Sequence, residues 1–348
     1  MNPSRREFLA VAGIAALPLQ TDAPRAEFVF EKAPFPSCHA STVVEIAPDA
    51  LLCAYFAGSD EGNRDVAIFL SRGKRSATGW TWSPPELFHR ESSTPCWNPV
   101  LFLADASPGR KELLLFFKAG PSPQQWSGLV KRSGDLGKLW TAAELLPAGI
   151  LGPIRAKPIQ LADGRLVCGS SVESYRTWTC WMETTTDLGR NWTKVGPIHA
   201  KGQINGCIQP APFVVDAAVP GNERLAFIAR SKGIPKILRS ESNDGGRTWS
   251  MCEPTNLPNP NAGVDAVRLA DGRVVAIYNH SIFGRTPLQL AISSDEGKNF
   301  TPSLVLEREP GEYSYPALIL GSGDRLHATY TWKRERIKHV EIPLSLLK

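Results

Sequence analysis

Residues 185–192 read Thr-Thr-Asp-Leu-Gly-Arg-Asn-Trp, and three other stretches repeat the core Asp-x-Gly-x-x-aromatic at Asp135, Asp244 and Asp295. Successive aspartates are 52, 57 and 51 residues apart. In each copy we expect the aspartate to accept hydrogen bonds from backbone N–H groups and the glycine to adopt positive φ. The aromatic residue then anchors the turn in the core. A period of about 50 residues indicates a radial or stacked repeat fold.

A second repeat runs in register with the first. Six stretches join a polar turn to a run of apolar residues, beginning at Pro48, Arg110, Asp163, Asn222, Asp271 and Gly323. Each is typical of a turn that leads into a buried strand. Every unit is therefore predicted to contain four strands. A polar turn joins the first strand to the second, and an Asp turn joins the third strand to the fourth. Six such units predict an all-β chain folded as a six-bladed β-propeller, with residues 27–32 supplying the strand that closes the ring.

The N-terminus has the pattern of a targeting segment. Residues 4–10 read Ser-Arg-Arg-Glu-Phe-Leu-Ala, and an apolar stretch follows from 11 to 19. This pattern predicts a twin-arginine leader over residues 1–25, followed by the propeller over 26–348. The apolar stretch is too short to span a bilayer. We therefore expect export of the folded protein to the periplasm or the medium, with no membrane span.

Composition narrows the possible classes of function. The formal net charge is +5 at pH 7, and the basic residues are scattered along the chain, which argues against a nucleic-acid surface. The 7 cysteines include no C-x-x-C pair, so neither a zinc site nor any other cofactor is predicted. We expect the cysteines to act mainly as small buried hydrophobes, with one disulfide possible and its pairing left open.

The Asp turns at this spacing resemble the Asp boxes of sialidase-like BNR-repeat propellers, over nearly all of residues 27–345. In that family the boxes lie on outer hairpins away from the active site, so the resemblance implies a structural role for the four aspartates. It also implies a tyrosine nucleophile with a glutamate partner, an aspartate acid/base and three arginines that bind the substrate carboxylate. These groups belong to the opposite face, where the inner strands converge.

Several residues match the family's site. Tyr313 is the best match for the nucleophile, and Tyr315 is close behind. Arg230 and Arg285 resemble two of the three arginines, because each lies shortly before an Asp box. Asp60 is similar to the acid/base in the loop of the first blade.

The chain departs from the family pattern at two places. Residues 37–42, where the first arginine should lie, contain none, and His39 stands near that position. The glutamate partner should fall at residues 207–209, which read Cys-Ile-Gln. The sequence thus resembles a divergent branch that lacks the full sialidase catalytic set. Because the unperturbed pKa of histidine is about 6.5, we predict that His39 serves as an acid/base.

These matches and the remaining polar residues define one candidate site, without a metal. The predicted catalytic residues are His39, Asp60, Glu61 and Tyr313. The predicted substrate-binding residues are Arg64, Arg155, Lys157, Arg230, Arg285, Tyr315, Arg336 and Trp97. Further carboxylates suited to an acid, base or orienting role are Asp65 and Glu173.

Three functions fit this set of residues. The first is an exo-acting glycosidase that releases an acidic sugar from the end of a glycan. The second is a polysaccharide lyase on a uronate-containing glycan, in which arginines neutralise the carboxylate and His39 or Tyr313 removes the neighbouring proton. The third is a non-catalytic glycan-binding propeller. In each case the partner is an acidic oligosaccharide or polysaccharide, and the oligomeric state stays open.

Overall fold

The computed structural model describes residues 23–202 and 206–347, and over these residues the chain forms six antiparallel sheets. The one helix in this part of the chain is a short 3-10 helix, Leu344–Leu346. No described helix is long and apolar enough to cross a membrane. The prediction of an all-β, six-bladed propeller is confirmed. The predicted leader lies almost entirely outside the described residues.

Each sheet is one blade, and strands are numbered in chain order. Blade VI begins with the N-terminal strand, β1 (Arg25–Phe28). Blade I contains β2 (Ser37–Ala47), β3 (Ala50–Gly58), β4 (Ala67–Ser76), β5 (Gly79–Trp82) and β6 (Glu86–His89). Blade II contains β7 (Cys96–Ser107), β8 (Arg110–Ala119), β9 (Ser127–Ser133) and β10 (Glu144–Leu145). Blade III contains β11 (Ile159–Gln160), β12 (Leu166–Glu173), β13 (Trp178–Thr185) and β14 (Thr193–Ile198).

The remaining strands complete the ring. Blade IV contains β15 (Cys207–Asp216), β16 (Arg224–Ser231), β17 (Lys236–Ser242) and β18 (Glu253–Pro258). Blade V contains β19 (Asp265–Arg268), β20 (Val274–Asn279), β21 (Leu288–Ser293) and β22 (Thr301–Glu307). Blade VI is completed by β23 (Tyr313–Gly321), β24 (Arg325–Trp332) and β25 (Arg336–Pro343). Apolar clusters fill the spaces between neighbouring blades, for example Phe213, Ile228 and Tyr278 between blades IV and V.

The ring closes through pairing of the two ends of the chain. Strand β1 pairs with β25 in antiparallel register, with Glu27 opposite His339. The closing strand therefore exists as predicted, but it ends at Phe28 instead of extending to residue 32. The Nδ1 of His339 bonds to a carboxylate oxygen of Glu27, and its Nε2 lies 3.0 Å from Nδ1 of His327. This buried chain of side chains ties the N-terminal strand to blade VI.

The closure predicts a pH dependence of stability. Burial, with His339 and Arg325 as further causes, lowers the pKa of His327 from 6.5 to about 3. The unfolded chain binds a proton at His327 below pH 6.5, whereas the folded chain does not, so stability falls as the pH decreases below 6.5. We expect His327 to contribute roughly 2 kcal/mol to the loss in the free energy of unfolding between neutral pH and pH 5. Urea titrations of the wild type and His327→Gln would measure it, and an equally steep acid loss in the variant would contradict this assignment.

The Asp turns have the local geometry that the sequence predicted. Asp187 Oδ1 accepts hydrogen bonds from the backbone N–H groups of Arg190 at 3.0 Å and Asn191 at 2.8 Å, and from Thr185 Oγ1 at 2.9 Å. The Trp192 indole donates to the Gly189 carbonyl at 3.0 Å. The same aspartate-centred turn recurs after β9, β17 and β21. Each box closes the hairpin between the third and fourth strands of its blade.

We therefore expect Asp187→Ala to lower the free energy of unfolding by about 1 kcal/mol or more, because several turn donors lose their acceptor. Chemical denaturation measures the change. Asp216→Ala is the matched control, since Asp216 Oδ1 accepts one backbone bond, from Ala218, and should lose less. Any activity of the protein should be unchanged in Asp187→Ala. A large loss of turnover without loss of stability would assign the box a functional role.

The innermost strands carry the feature that positions the site. Four of them contain a bulge near their start, where the pairing register with the next strand shifts. At each bulge one residue has positive φ: Ala40 at 54°, Asn98 at 27°, Gln209 at 58° and Tyr315 at 49°. A bulge re-aims the side chain that it carries. Gln209 of blade IV and Tyr315 of blade VI consequently meet across the ring, 3.2 Å apart.

Candidate functional site

Three guanidinium groups surround the ring of Tyr315, which lies near the start of the innermost strand of blade VI. The distances from guanidinium carbon to ring centroid are 5.6 Å for Arg155, 5.9 Å for Arg230 and 5.7 Å for Arg285. Arg155 precedes β11, Arg230 lies on β16, and Arg285 lies between β20 and β21. Blades III, IV, V and VI thus each contribute one residue to a compact cluster, which we call the arginine cluster.

The phenol oxygen of Tyr315 accepts two hydrogen bonds. Arg230 Nη1 donates at 3.0 Å and Gln209 Nε2 donates at 3.2 Å. Gln209 stands where the sialidase resemblance requires a glutamate, and an amide cannot act as a base toward the phenol. The oxygen instead faces two hydrogen-bond donors, one of which is cationic. Arg230 therefore lies where its positive charge can stabilise negative charge that develops on this oxygen during a reaction.

Arg155 is buried and forms no ion pair among the described residues. Its Nη2 donates to the carbonyl oxygens of Val264 and Pro316, both at 2.7 Å. Its Nε and Nη1 are buried, and neither has an acceptor within residues 23–202 and 206–347. Burial lowers the pKa of this guanidinium, against the nearby charge of Asp265. Unpaired buried donors are unfavourable, so these two nitrogens are suited to an incoming oxygen ligand.

Arg285 differs because it already binds a carboxylate. Glu312 Oε1 accepts from Arg285 Nη1 at 3.0 Å, from Arg334 Nε at 2.7 Å and from Ser314 Oγ at 3.0 Å. Burial alone would raise the pKa of Glu312, but Arg334 and Arg285 outweigh it and hold the pKa below its ordinary value. Arg334 Nη1 also donates to Glu61 at 2.6 Å. The cationic charge not matched by an ion pair is therefore concentrated on Arg155 and Arg230.

His39 lies directly against Tyr315, with the ring centroids 4.2 Å apart. Its Nδ1 is 2.9 Å from Thr331 Oγ1, whereas its buried Nε2 has no partner in the described part of the chain. Burial, then the charges of Arg334, Arg285, Arg155 and Arg230, lowers the pKa of His39 well below 6.5. The imidazole is therefore neutral, and it packs against the ring of Tyr315.

Tyr313 occupies a different environment from Tyr315. It packs in the apolar cluster between blades V and VI, with Leu318 and Tyr330. Burial and the charges of Glu307 and Glu309 raise its pKa. The structure thus brings Tyr315, and not the best sequence match Tyr313, into the arginine cluster. A sequence signal does mark the bulge, because proline follows the positive-φ residue in Asn98-Pro99, Gln209-Pro210 and Tyr315-Pro316.

The blade I loop supplies the other predicted catalytic residues, and it is largely exposed. Asp60 accepts a bond from the Glu61 backbone N–H at 2.8 Å, and Glu61 pairs with Arg334. Arg64 is exposed. Asp65 accepts two bonds from Ser59 within the same loop. Glu61 is linked to the arginine cluster indirectly, because its partner Arg334 and the cluster residue Arg285 share the carboxylate of Glu312.

The other predicted binding residues lie apart from Tyr315. Lys157 Nζ donates to Asp265 Oδ1 at 3.0 Å and to the Ala266 carbonyl at 2.9 Å. Trp97 is buried, and its indole donates to the Gly120 carbonyl at 2.8 Å. Arg336 starts an outer strand, stacks on Phe28 at 3.7 Å and pairs with Glu31 at 2.9 Å. Arg336 is thus on the outer side of blade VI and does not join the cluster.

One further carboxylate lies near Arg230 of the arginine cluster. Glu173 ends β12 opposite Trp178, is buried, and lies close enough to Arg230 for their charges to interact. Burial raises the pKa of Glu173, although Arg230 opposes the change. Lys232 Nζ lies 4.4 Å from the Trp178 ring centroid. A carboxyl group that holds its proton to a higher pH than usual, beside a cationic group, is suited to donate that proton. No group of three metal-ligating side chains occurs among the described residues.

Comparison with known proteins places this chain in a family. The BNR repeat-like domain matches residues 49–328, which is most of the chain. The chain belongs to the BNR repeat-like family. Among curated proteins, no sequence is significantly similar.

Solved structures share the propeller of this BNR repeat-like chain. An intramolecular trans-sialidase from Ruminococcus gnavus superposes with a TM-score of 0.71 at 14% identity, covering 92% of this chain and 97% of that one. NanB sialidase from Streptococcus pneumoniae gives 0.70 at 12% identity, covering 92% and 70%. A protein of unknown function from Dyadobacter fermentans gives 0.73 at 17% identity, covering 91% and 98%. At these identities the likeness establishes a divergent, sialidase-like six-bladed fold.

Proposed function

We propose that the protein is an exported, exo-acting glycosidase that releases a carboxylate-bearing sugar from the end of a glycan. The observation that carries the proposal is the pair Arg155 and Arg230 beside Tyr315, both without a carboxylate partner among the described residues. A planar guanidinium pair matches the two oxygens of a sugar carboxylate. A buried site of this charge is unfavourable when empty, and an acidic ligand relieves it.

The proposed chemistry follows a retaining course. Arg155 and Arg230 bind the carboxylate and orient the ring, with Arg285 beside them. The Tyr315 oxygen loses its phenol proton to solvent and forms a bond to the anomeric carbon as the bond to the leaving oxygen breaks, while Arg230 stabilises the charge that develops on the phenol oxygen. Glu173 gives its proton to that leaving oxygen. Water then displaces the Tyr315 oxygen from the anomeric carbon; Glu173 takes the proton that the water releases, and the Tyr315 oxygen regains a proton from solvent.

Sialidase-fold relatives support a glycosidase over the other possibilities, and one assay separates them. Purified protein is incubated with aryl glycosides of N-acetylneuraminic acid and of hexuronic acids, with neutral aryl hexosides as controls. Release of the aryl group from acidic glycosides alone is the expected result. An unsaturated product absorbing in the near ultraviolet from a uronate polymer would indicate a lyase. Affinity for acidic glycans without any product would indicate a binding protein.

Export is part of the proposal and rests on the paired arginines, Arg5 and Arg6. In the native host, Arg5→Lys combined with Arg6→Lys should leave the protein in the cytoplasm, because the twin-arginine signal is lost. Fractionation with immunoblotting measures the distribution, and Arg64→Lys is the control for an arginine outside the signal. Unchanged export of the double variant would contradict this route.

A further inference from the structure

Arg155 depends on an irregular segment for its position. Residues 147–158 run without strand pairing from β10 to β11. Within the segment, the Ile154 N–H donates to the Gly169 carbonyl at 2.8 Å. Arg230, in contrast, lies within a paired strand. The Arg155 guanidinium reaches from blade III to the carbonyl groups of Val264 and Pro316. Because strand pairing does not hold the Arg155 backbone, other interactions must fix its position.

Two buried charged side chains provide these interactions. Lys118 on β8 of blade II is fully buried, and its Nζ donates to the Pro153 carbonyl. Glu183 on β13 is also fully buried, and its Oε2 accepts from the backbone N–H groups of Leu151 at 3.0 Å and Gly152 at 2.6 Å. Three consecutive residues just before Arg155 are thus held from two neighbouring blades. We call Lys118 and Glu183 the anchor pair.

The rest of the network keeps the anchor pair in place. Ser170 Oγ donates to Glu183 Oε1 at 3.0 Å, and Lys194 Nζ lies 3.0 Å from the same oxygen. Lys194 also donates to the Gly149 carbonyl, at 2.6 Å. Burying a lysine and a glutamate is unfavourable compared with burying apolar residues of similar volume. Propeller stability alone therefore gives no reason for these charges at this position, whereas fixing a polar backbone segment does.

We infer that Lys118 and Glu183 are positioning residues that hold the Leu151–Pro153 backbone and so aim Arg155 at the substrate carboxylate. The inference rests on the proposed function, because it takes Arg155 to be a carboxylate ligand. It also predicts a pH effect. Burial, opposed by Glu183 on β13 and by Cys168 on β12, lowers the pKa of Lys118 to about 7. Below that pH the ammonium donates a charge-assisted bond to Pro153, which is stronger than the bond from a neutral amine.

The test measures binding of N-acetylneuraminic acid and of glucuronic acid by calorimetry, with the methyl ester of each acid as its control. Each titration is done about one pH unit below and about one pH unit above the Lys118 pKa of about 7. Lys118→Met should weaken binding of the acid by roughly 10- to 100-fold and leave the ester unchanged. It should also remove the tighter binding that the wild type shows at the lower pH. Lys131→Met is the control, since Lys131 is in the same blade as Lys118 but its ammonium lies over Phe88 of blade I.

Glu183→Gln keeps the side-chain shape and gives a second, milder variant if Lys118→Met does not fold; it should weaken acid binding as well. Equal acid binding by the wild type and both variants would overturn the inference and leave the proposed function standing. A wild type that binds acid and ester equally would contradict the proposed function instead. A crystal structure of Lys118→Met then tests the inference separately. If Arg155 still donates to the Val264 and Pro316 carbonyls in that variant, the inference is wrong. If Arg155 is displaced from these carbonyls, the inference is supported.

Discussion

Replacing Tyr315 with phenylalanine should lower kcat on an acidic aryl glycoside by on the order of 10⁴-fold or more, because the proposed nucleophilic oxygen is removed. The ring remains, so its packing against His39 and the three guanidinium groups is preserved. Binding of the acidic sugar should therefore change much less than turnover. The measurement is kcat and KM for the variant, with calorimetric binding of the free acid.

Tyr313→Phe is the matched control. Tyr313 lies two residues away in the same strand, but its ring is in the core between blades V and VI, and its hydroxyl forms no side-chain hydrogen bond among the described residues. We expect near-wild-type turnover. Mass spectrometry of protein treated with an activated fluorosugar should locate the covalent adduct on Tyr315. Loss of activity in Tyr313→Phe with retention in Tyr315→Phe would restore the assignment that the sequence favoured.

The fold was readable from the sequence because its decisive signals are local. An Asp box forms its hydrogen bonds within about one turn, as Asp187 does with Arg190 and Asn191. Such signals repeat at a fixed interval and need no knowledge of tertiary contacts. The same regularity placed Arg230 and Arg285 shortly before their boxes. Both of these guanidinium groups lie against Tyr315 in the structure.

The identity of the tyrosine was harder to predict for a geometric reason. Strand alternation puts residues 313 and 315 on the same face, so a sequence match cannot separate them. The bulge after Ser314 and the φ of 49° at Tyr315 break that alternation. Tyr315 lies against the arginine cluster while Tyr313 stays in the core. The other bulged strands show that this is a repeated device, marked by proline in three of the four.

Contacts between residues that are distant in the sequence were the second feature that could not be predicted. Nothing near residue 155 indicates that its guanidinium reaches carbonyl groups of blades V and VI. Likewise, the sequence around Arg336 is compatible with a site arginine, yet its partner Glu31 lies in the segment after the closing strand β1. Such pairings depend on how the ring closes, and the ring closes through contacts between opposite ends of the chain.

The arginine cluster should respond unequally to lysine substitution. Arg230→Lys keeps the charge but loses the planar fork that bonds Tyr315, Gln209 and Asn261. A hydrogen bond to a charged group contributes about 1.5–3 kcal/mol, so kcat/KM for an acidic sugar should fall by roughly 10- to 150-fold. Binding of a neutral sugar should not change.

Arg285→Lys should have a smaller effect, because Arg285 already donates to Glu312 and a lysine ammonium can keep that ion pair. Arg336→Lys, on the outer strand, is the control and should be neutral. Comparing kcat/KM among the three variants tests which arginine is free to bind the substrate carboxylate. If Arg285→Lys lowers kcat/KM for acidic substrates as strongly as Arg230→Lys does, then Arg285 binds the substrate despite its ion pair with Glu312. The carboxylate would then bind across all three guanidinium groups instead of between Arg155 and Arg230.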